Sequence, residues 1–421
     1  MSYLEQIRNM LQILPSVLTS DMIHGMLLFG KISLFFGLFI TPIAGFSVYI
    51  ERRLSAKMQS RIGCHRLGPE GILQLVADGI KMLCKEDLYP RGSDVVLFKF
   101  APYLVMIGAF TSFACIPFGD HVVMANIDVG IVYLLGLSSL VVVGIMLAGW
   151  SSNNKWSLLG SLRSAAQIIS YEIPLGLTLL VPVIITGSMN LQAINHFQSG
   201  GVSKWLVFYA GPFTIIAFVI YFISALAEVN RTPFDLPEAE SELVSGFHTE
   251  YSGMRWGLFF VGEYANMFLV SCIAVTLFLG GYQRSMVNIA FVGLTCFFII
   301  FLLLQIFLFL PTYVSELWKG QSLLDVLMKT PPQKRSNAFK VMCLGGAFVL
   351  ASLMYRYHLD YHWIQVFVFV SKAYFLVLVM MWLRWSLPRY RMDQLMDLCW
   401  KKCIPISFVC ICGTLIWMVV Q

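Results

Sequence analysis

The sequence predicts an all-α protein: a polytopic membrane helix bundle of about ten transmembrane helices, with an interfacial amphipathic helix in its first cytoplasmic loop. Three observations predict it. Of 421 residues, 58% are hydrophobic and only 12% charged, whereas a soluble domain carries roughly 45–50% apolar and about 25% charged residues. The apolar residues come in runs of roughly 20 or more, the length that spans a hydrocarbon core of about 30 Å. Lys and Arg collect in alternate loops between those runs. This composition excludes a soluble enzyme, a disordered tail and a disulfide scaffold.

Ten apolar runs are predicted to span the membrane: 25–50, 97–118, 129–149, 165–187, 206–228, 256–280, 286–311, 338–357, 362–386 and 403–420. The alternate loops 51–99, 150–163, 228–255, 312–340 and 384–402 hold 23 of the 29 basic residues. That asymmetry puts these loops in the cytoplasm and both termini outside it. The net charge of +6 is spread over short loops, which argues against a nucleic-acid footprint, since that needs a clustered basic face. Cys115, Cys272, Cys296, Cys343, Cys410 and Cys412 lie inside apolar runs and read as small hydrophobes. Cys399 and Cys403 have no companion ligands, so no metal, zinc or iron–sulfur site is expected in this chain. Met1–Asp21 does not read as a cleaved signal. Low-complexity segments and sequence repeats are absent.

Three regions can carry chemistry. The first loop contains Glu51-Arg52-Arg53 and Gln59-Ser60-Arg61. In Gly71–Leu83 that follows, Ile72, Leu73, Val76, Ile80 and Leu83 recur at helical spacing, while Gln74, Asp78 and Lys81 take other faces. This is an amphipathic helix at the interface; periodicity alone fits a plain surface anchor as well. The third loop carries Glu228, Asp235, Glu238, Glu240, Glu242 and Glu250 against only Arg231 and Arg255. Clustered carboxylates repel, which raises one or more of their pKa values toward neutrality and allows proton exchange; the alternative is a solvated acidic loop. Glu172, Glu228, Glu263 and Lys372 fall in or at the ends of apolar runs. A charge left in lipid is costly, so each is expected to face the bundle interior or a wet cavity. A lone membrane glutamate can be a structural hydrogen-bonding residue, but three beside an acidic loop favour a charge pathway. Pro174 is expected to loosen the helix after Glu172. The arginines of Leu383–Leu395 read as a basic cap with a Pro stop.

Together these segments resemble one family. Glu51-Arg52-Arg53 with Gln59, Gly68-Pro69, Gln74, Ala77-Asp78, Lys81 and Lys85-Glu86 is similar to the first loop of the quinone-site membrane subunit of respiratory complex I, called the H subunit in bacteria and subunit 1 in mitochondria. Ala227-Glu228 through Arg231-Thr232-Pro233-Phe234-Asp235-Leu236, Glu238, Glu240–Phe247 and Glu250-Tyr251 resembles its acidic loop. Glu263-Tyr264-Ala265-Asn266-Met267 resembles its next span, and Lys372 with Leu387–Met396 its C-terminal part.

The resemblance implies a subunit of a proton-translocating NADH:quinone oxidoreductase that does no catalysis in isolation. It implies a quinone, ubiquinone or menaquinone, as substrate, with no flavin or iron–sulfur cluster in this chain. The implied quinone-site residues are Arg52, Gln59, Arg61, Asp78, Phe234 and Asp235. Glu51, Glu172, Glu228, Glu238, Glu240, Glu242 and Glu263 would form the proton or charge path. Implied partners are peripheral-arm subunits carrying the terminal iron–sulfur cluster, antiporter-like membrane subunits and the lipid bilayer, in a bacterial cytoplasmic (inner) membrane with both termini periplasmic. A membrane subunit of an energy-converting hydrogenase and a stand-alone secondary transporter are the alternatives. Two departures stand out. Gly63-Cys64-His65 replaces the family's usual Gly-Pro-Asn, and 286–360 is set apart as an inserted transmembrane hairpin between a family-like bundle, 1–285 (loops 51–97 and 228–255), and C-terminal helices, 361–421.

Overall fold

The computed structural model describes residues 40–65, 67, 71–237, 240–283 and 361–420, and among them every regular element is helical. In chain order these are α1 (Thr41–Met58), the amphipathic α2 (Gln74–Cys84), α3 (Val95–Ser112), α4 (Gly130–Ser151) and α5 (Lys155–Thr186). The short α6 (Leu191–Phe197) and α7 (Leu206–Tyr209) precede α8 (Pro212–Glu228), α9 (Glu240–Leu243) and α10 (Gly253–Leu277). The last are α11 (Tyr361–Ser386), α12 (Met392–Asp397) and α13 (Ile404–Val420), with a π-turn joining α12 to α13.

Six helical segments among the described residues are long and apolar enough to cross a membrane: Val95–Cys115, Gly130–Ser151, Lys155–Thr186, Gly253–Leu277, Ile364–Ser386 and Met392–Val420. The apolar α8 is shorter, 17 residues. The expected first span enters the described region only at Ile40, and those at 286–311 and 338–357 lie outside it. Outward apolar side chains such as Phe100, Ile107, Val132, Val143, Phe408 and Val409 are exposed, as lipid-facing helices require. The central helix is α10, buried at every residue from Tyr264 to Leu277. Small residues let neighbours approach closely: a Cβ on Gly144 of α4 would stand 2.6 Å from Val105 Cγ2 of α3.

Helix α5 differs from expectation. It begins ten residues before the predicted 165, where Asn154 Oδ1 accepts a hydrogen bond from the Trp156 amide at 3.0 Å. Hydropathy misplaces this start because Lys155 and Arg163 interrupt the apolar run, while the cap and the buried Ser157, Gly160, Ser161 and Ser164 carry the helix on. The helix also continues through Pro174 and Pro182. Its 32 residues reach about 48 Å, more than the roughly 30 Å of a hydrocarbon core. Its first turns therefore stand clear of the apolar layer as a pillar for the loops.

The loops sort to two ends. At one end, the Asp94 amide bonds Ser151 O at 3.1 Å, Asn154 bonds Glu250 at 2.5 Å, Ser252 bonds Glu86 O at 3.0 Å and the Tyr390 amide bonds Pro233 O at 3.0 Å. At the other, Gln365 bonds Asp120 at 2.6 Å, Asn190 bonds Asn126 at 2.8 Å and Lys372 Nζ donates to Leu279 O and Gly281 O at 2.8 and 3.0 Å.

Candidate functional site: a loop-side pocket and a series of carboxylates

Helix α2 lies across the loop-side end. Leu75 packs against Gly45 of α1 and Met82 against Gly257 of α10, leaving Val76, Ile80 and Leu83 exposed at 56%, 56% and 68%. Between α2, the 244–252 loop and the start of α10 is a cavity of about 500 Å³, lined among others by Arg52, Asp78, Lys81, Lys85, His248 and Trp256. Arg52 is ion-paired with Asp78, whose other oxygen accepts from Gln74 Nε2 at 2.8 Å. Of the expected quinone-site residues, only Arg52 and Asp78 line this cavity. Gln59 and Arg61 are exposed and bond one another at 2.6 Å.

The acidic loop is not held by its own two arginines alone. Glu242 pairs with Arg163 of α5 at 2.7 Å and Asp235 with Arg389 at 3.4 Å, while Arg255 goes to Asp87 at 2.8 Å. Bases from distant segments thus relieve the repulsion expected within the loop. Glu238 lies outside the described residues, and of Glu240 only the backbone is described. Phe234 is buried, its ring stacked 5.8 Å from that of Tyr390 and tilted against that of Tyr171 at 5.6 Å. Neither Phe234 nor Asp235 lines the cavity. Gln167 of α5 pins the loop: its Nε2 lies 2.8 Å from Ala227 O, 2.8 Å from Phe234 O and 3.1 Å from Asn230 Oδ1.

Inside the bundle the carboxylates fall in series. Glu51 is buried, accepts from the Tyr264 hydroxyl at 2.6 Å and is ion-paired with Arg384. Arg384 is therefore more than the terminal cap that its sequence suggests. Glu263 of α10 is 16% exposed, 3.1 Å from His248 Nε2 and 3.7 Å from Arg231, whose guanidinium lies 4.3 Å over the Tyr264 ring. Glu263 and Glu228 line one small internal cavity with Asn230 and Asn266, of about 20 Å³, the size of a single-water site. Glu172 accepts from the Ser138 hydroxyl at 3.0 Å and is within electrostatic range of Glu228. Lys372 belongs elsewhere, at the opposite end, 4.6 Å over the Trp205 ring. Sequence reasoning placed none of His248, Tyr264 and Arg384 in the site, and read Arg384 only as part of a basic cap. Their roles come from contacts 15, 213 and 333 residues away in the chain, and no local spacing signals them.

These features define a polytopic helical membrane protein in which largely enclosed carboxylates, Glu51 buried and Glu172, Glu228 and Glu263 half-buried, lie inward of a loop-side pocket. The chain belongs to the NADH dehydrogenase family, whose profile matches residues 30–317 and 336–415. It is 42% identical to the NADH-quinone oxidoreductase H subunit of Anaeromyxobacter dehalogenans over 381 residues, 90% of this chain and 78% of that relative. It is 41% identical to the H subunit of the Chlorobium luteolum oxidoreductase, covering 89% of this chain and 84% of the relative. With the corresponding H subunit of Chlorobaculum parvum it shares 40% identity, covering 89% and 88%. The family match passes through 286–317 and 336–360 and leaves 318–335 unmatched, a smaller departure than the 286–360 stretch set apart from the sequence.

Proposed function

We propose that this chain is the membrane subunit of a proton-translocating NADH:quinone oxidoreductase and that it forms one wall of the quinone cavity. The observation that carries this reading is the continuity from the 500 Å³ pocket, through His248 and Glu263, to the small cavity shared by Glu263 and Glu228. Arg52 and Asp78 stand at the pocket and meet the quinone. Phe234 and Asp235 act one layer behind, fixing the acidic loop against Tyr390 and Arg389. Gln59 and Arg61 are exposed and face the peripheral arm, whose terminal iron–sulfur cluster supplies the electrons. Quinone reduction takes up protons and changes the charge of the pocket. Glu263, Glu228 and Glu172 pass that change inward because each alters the proton affinity of the next, and antiporter-like subunits receive it. Glu51, the buried member, and Glu238, Glu240 and Glu242 of the acidic sequence segment belong to the same charge path. The names of the relatives favour the quinone reading over the hydrogenase one. The membrane is the bacterial cytoplasmic membrane, with both termini periplasmic.

The test is Glu228→Gln in the whole complex, assayed in inverted membrane vesicles. NADH:quinone turnover and proton uptake should both fall by about tenfold or more, a loss in keeping with removal of a proton-transfer group. Reduction of a soluble artificial acceptor by the peripheral arm should be unchanged. Wild-type turnover and pumping would make this carboxylate structural and remove the path.

A further inference from the structure

We propose that a second cavity, between the turn before α3 and the turn joining α4 to α5, binds the zwitterionic headgroup of a phospholipid with a primary amine, the phosphatidylethanolamine class. The cavity has a volume of about 440 Å³ and is lined by Asp94, Trp150, Asn153, Lys155 and Leu158, among others. It shares no lining residue with the loop-side pocket. Its size falls within the roughly 300–1,000 Å³ of small-ligand sites. Its walls are preformed, because the two turns are bonded to each other. The Asp94 amide donates to Ser151 O at 3.1 Å, and Asn153 Nδ2 donates to Gly92 O at 3.2 Å. The cavity also lies at the level of a lipid surface. Helix α4 ends at Ser151, and Trp150 beside it is 70% exposed, as tryptophans at headgroup depth are. Val96 and Phe100 on α3 and Val143 on α4 are exposed too, an apolar surface against which acyl chains lie.

The charges select the headgroup. Among the described residues, Lys155 is the one base and Asp94 the one acid lining the cavity, and neither forms an ion pair. Asp94 uses Oδ1 to cap α3, accepting from the Val96 and Leu97 amides at 3.2 and 3.4 Å; Oδ2 remains for a ligand. Glu250 is engaged elsewhere, by Asn154 Nδ2 at 2.5 Å. Two opposite charges at one cavity, unpaired with each other, fit a ligand that carries both signs. The phosphate pairs with Lys155 and the ammonium donates to Asp94, two charge-assisted hydrogen bonds at opposite ends of one headgroup. A headgroup with phosphate alone leaves Asp94 facing an anion. A choline headgroup carries no N–H to give to the carboxylate.

The experiment places the purified intact assembly in phosphatidylcholine vesicles doped with a trace of phosphatidylethanolamine whose acyl chain bears a diazirine near the glycerol, the headgroup being unmodified. Adducts are mapped by peptide mass spectrometry. The peptide that contains Trp150 should be labelled; added unlabelled phosphatidylethanolamine should remove the adduct, and added phosphatidylglycerol should not. Photoreactive phosphatidylcholine with the same chain should label this peptide no more than other lipid-facing ones. Lys155→Gln and Asp94→Asn should each lower the adduct by about tenfold or more, the loss that follows removal of one hydrogen bond to a charged group. Asparagine keeps the helix cap, so α3 stays in place, and quinone turnover should be unchanged in both variants. Equal labelling by phosphatidylcholine would overturn the proposal, because the ammonium N–H would not be read. Equal competition by phosphatidylglycerol would overturn it in favour of a plain anion site. Wild-type adduct yield in both variants would overturn it as well. So would the absence of an adduct here while other lipid-facing peptides are labelled, which would mean that a protein neighbour fills the cavity. Where a variant fails to assemble, the lipid series on the wild-type protein decides alone.

Discussion

At the scale of single residues, the buried Glu51 shows how this chain keeps a charge in an apolar setting. Two partners from distant helices, the Tyr264 hydroxyl and the Arg384 guanidinium, surround its carboxylate. Removing one member of a buried pair leaves the other uncompensated, at a cost of about 3–5 kcal/mol. Arg384→Ala should therefore lower the thermal unfolding temperature of the detergent-solubilised complex, and Arg384→Lys should recover part of the loss. The double neutral variant Glu51→Gln/Arg384→Met should be less damaged than Arg384→Ala alone, because no orphaned charge remains. Equal stability of Arg384→Ala and wild type would show that the pair contributes nothing. Glu51 was marked in the sequence only through the Glu51-Arg52-Arg53 motif that carries the family resemblance. Its partners were not, because nothing local marks Arg384 as different from Arg389 or Arg391. The same holds for the acidic loop: its six carboxylates were visible, but the bases that engage Glu242 and Asp235 come from other segments.

At the scale of elements, α5 is the piece whose sequence reading and structure differ most, and the difference is functional. Its first turns project beyond the apolar layer and carry contacts that hold the loop end: Arg163 to Glu242, Ser164 to Asn230, and Gln167 to Asn230 and Phe234 of the loop and to Ala227 at the end of α8. Hydropathy finds the segment that lipid solvates and is blind to a helix that continues into water. The amphipathic α2 was readable for the opposite reason: its apolar stripe at Val76, Ile80 and Leu83 repeats every three or four residues and stays exposed. Helix α5 meets the loop backbone at Gly160, where a Cβ would stand 2.7 Å from Gly246 Cα. Backbone cannot give way as a side chain can, so Gly160→Ala should displace the turn that carries His248, at a strain of about 1–3 kcal/mol. Quinone turnover should drop while artificial-acceptor reduction persists. Gly136→Ala on α4, where nothing beyond the adjoining residues and backbone of its own helix lies within 4 Å of the added Cβ, is the matched control and should behave as wild type. Equal turnover in the two variants would separate the turn's position from function.

At the scale of the whole molecule, one physical constraint explains why so much of the architecture was legible. Backbone polar groups in lipid must be satisfied within the chain, so spans are helices of a fixed minimum length, and length plus apolarity suffices to find them. Charge then orients them. The structure gathers Glu86, Asp94, Asn154, Pro233, Glu250, Ser252 and Tyr390 at one end by cross-bonds, and puts the Asp120, Asn190 and Lys372 contacts at the other. This is the alternation that the basic residues require, and it places the pocket with the basic loops. The charge bias proposes a compartment for each end, and that proposal is open to measurement. Ser203, exposed between α6 and α7, belongs to the end away from the pocket. A Ser203→Cys variant should be labelled by a membrane-impermeant maleimide in spheroplasts and protected in inverted vesicles, with the label read on the peptide that carries residue 203. The reverse pattern would place the pocket in the periplasm, on the wrong side for the peripheral arm proposed above. The proton path would then have to begin from the opposite face, where Asp120, His196 and Lys372 lie instead of Glu263 and Glu228.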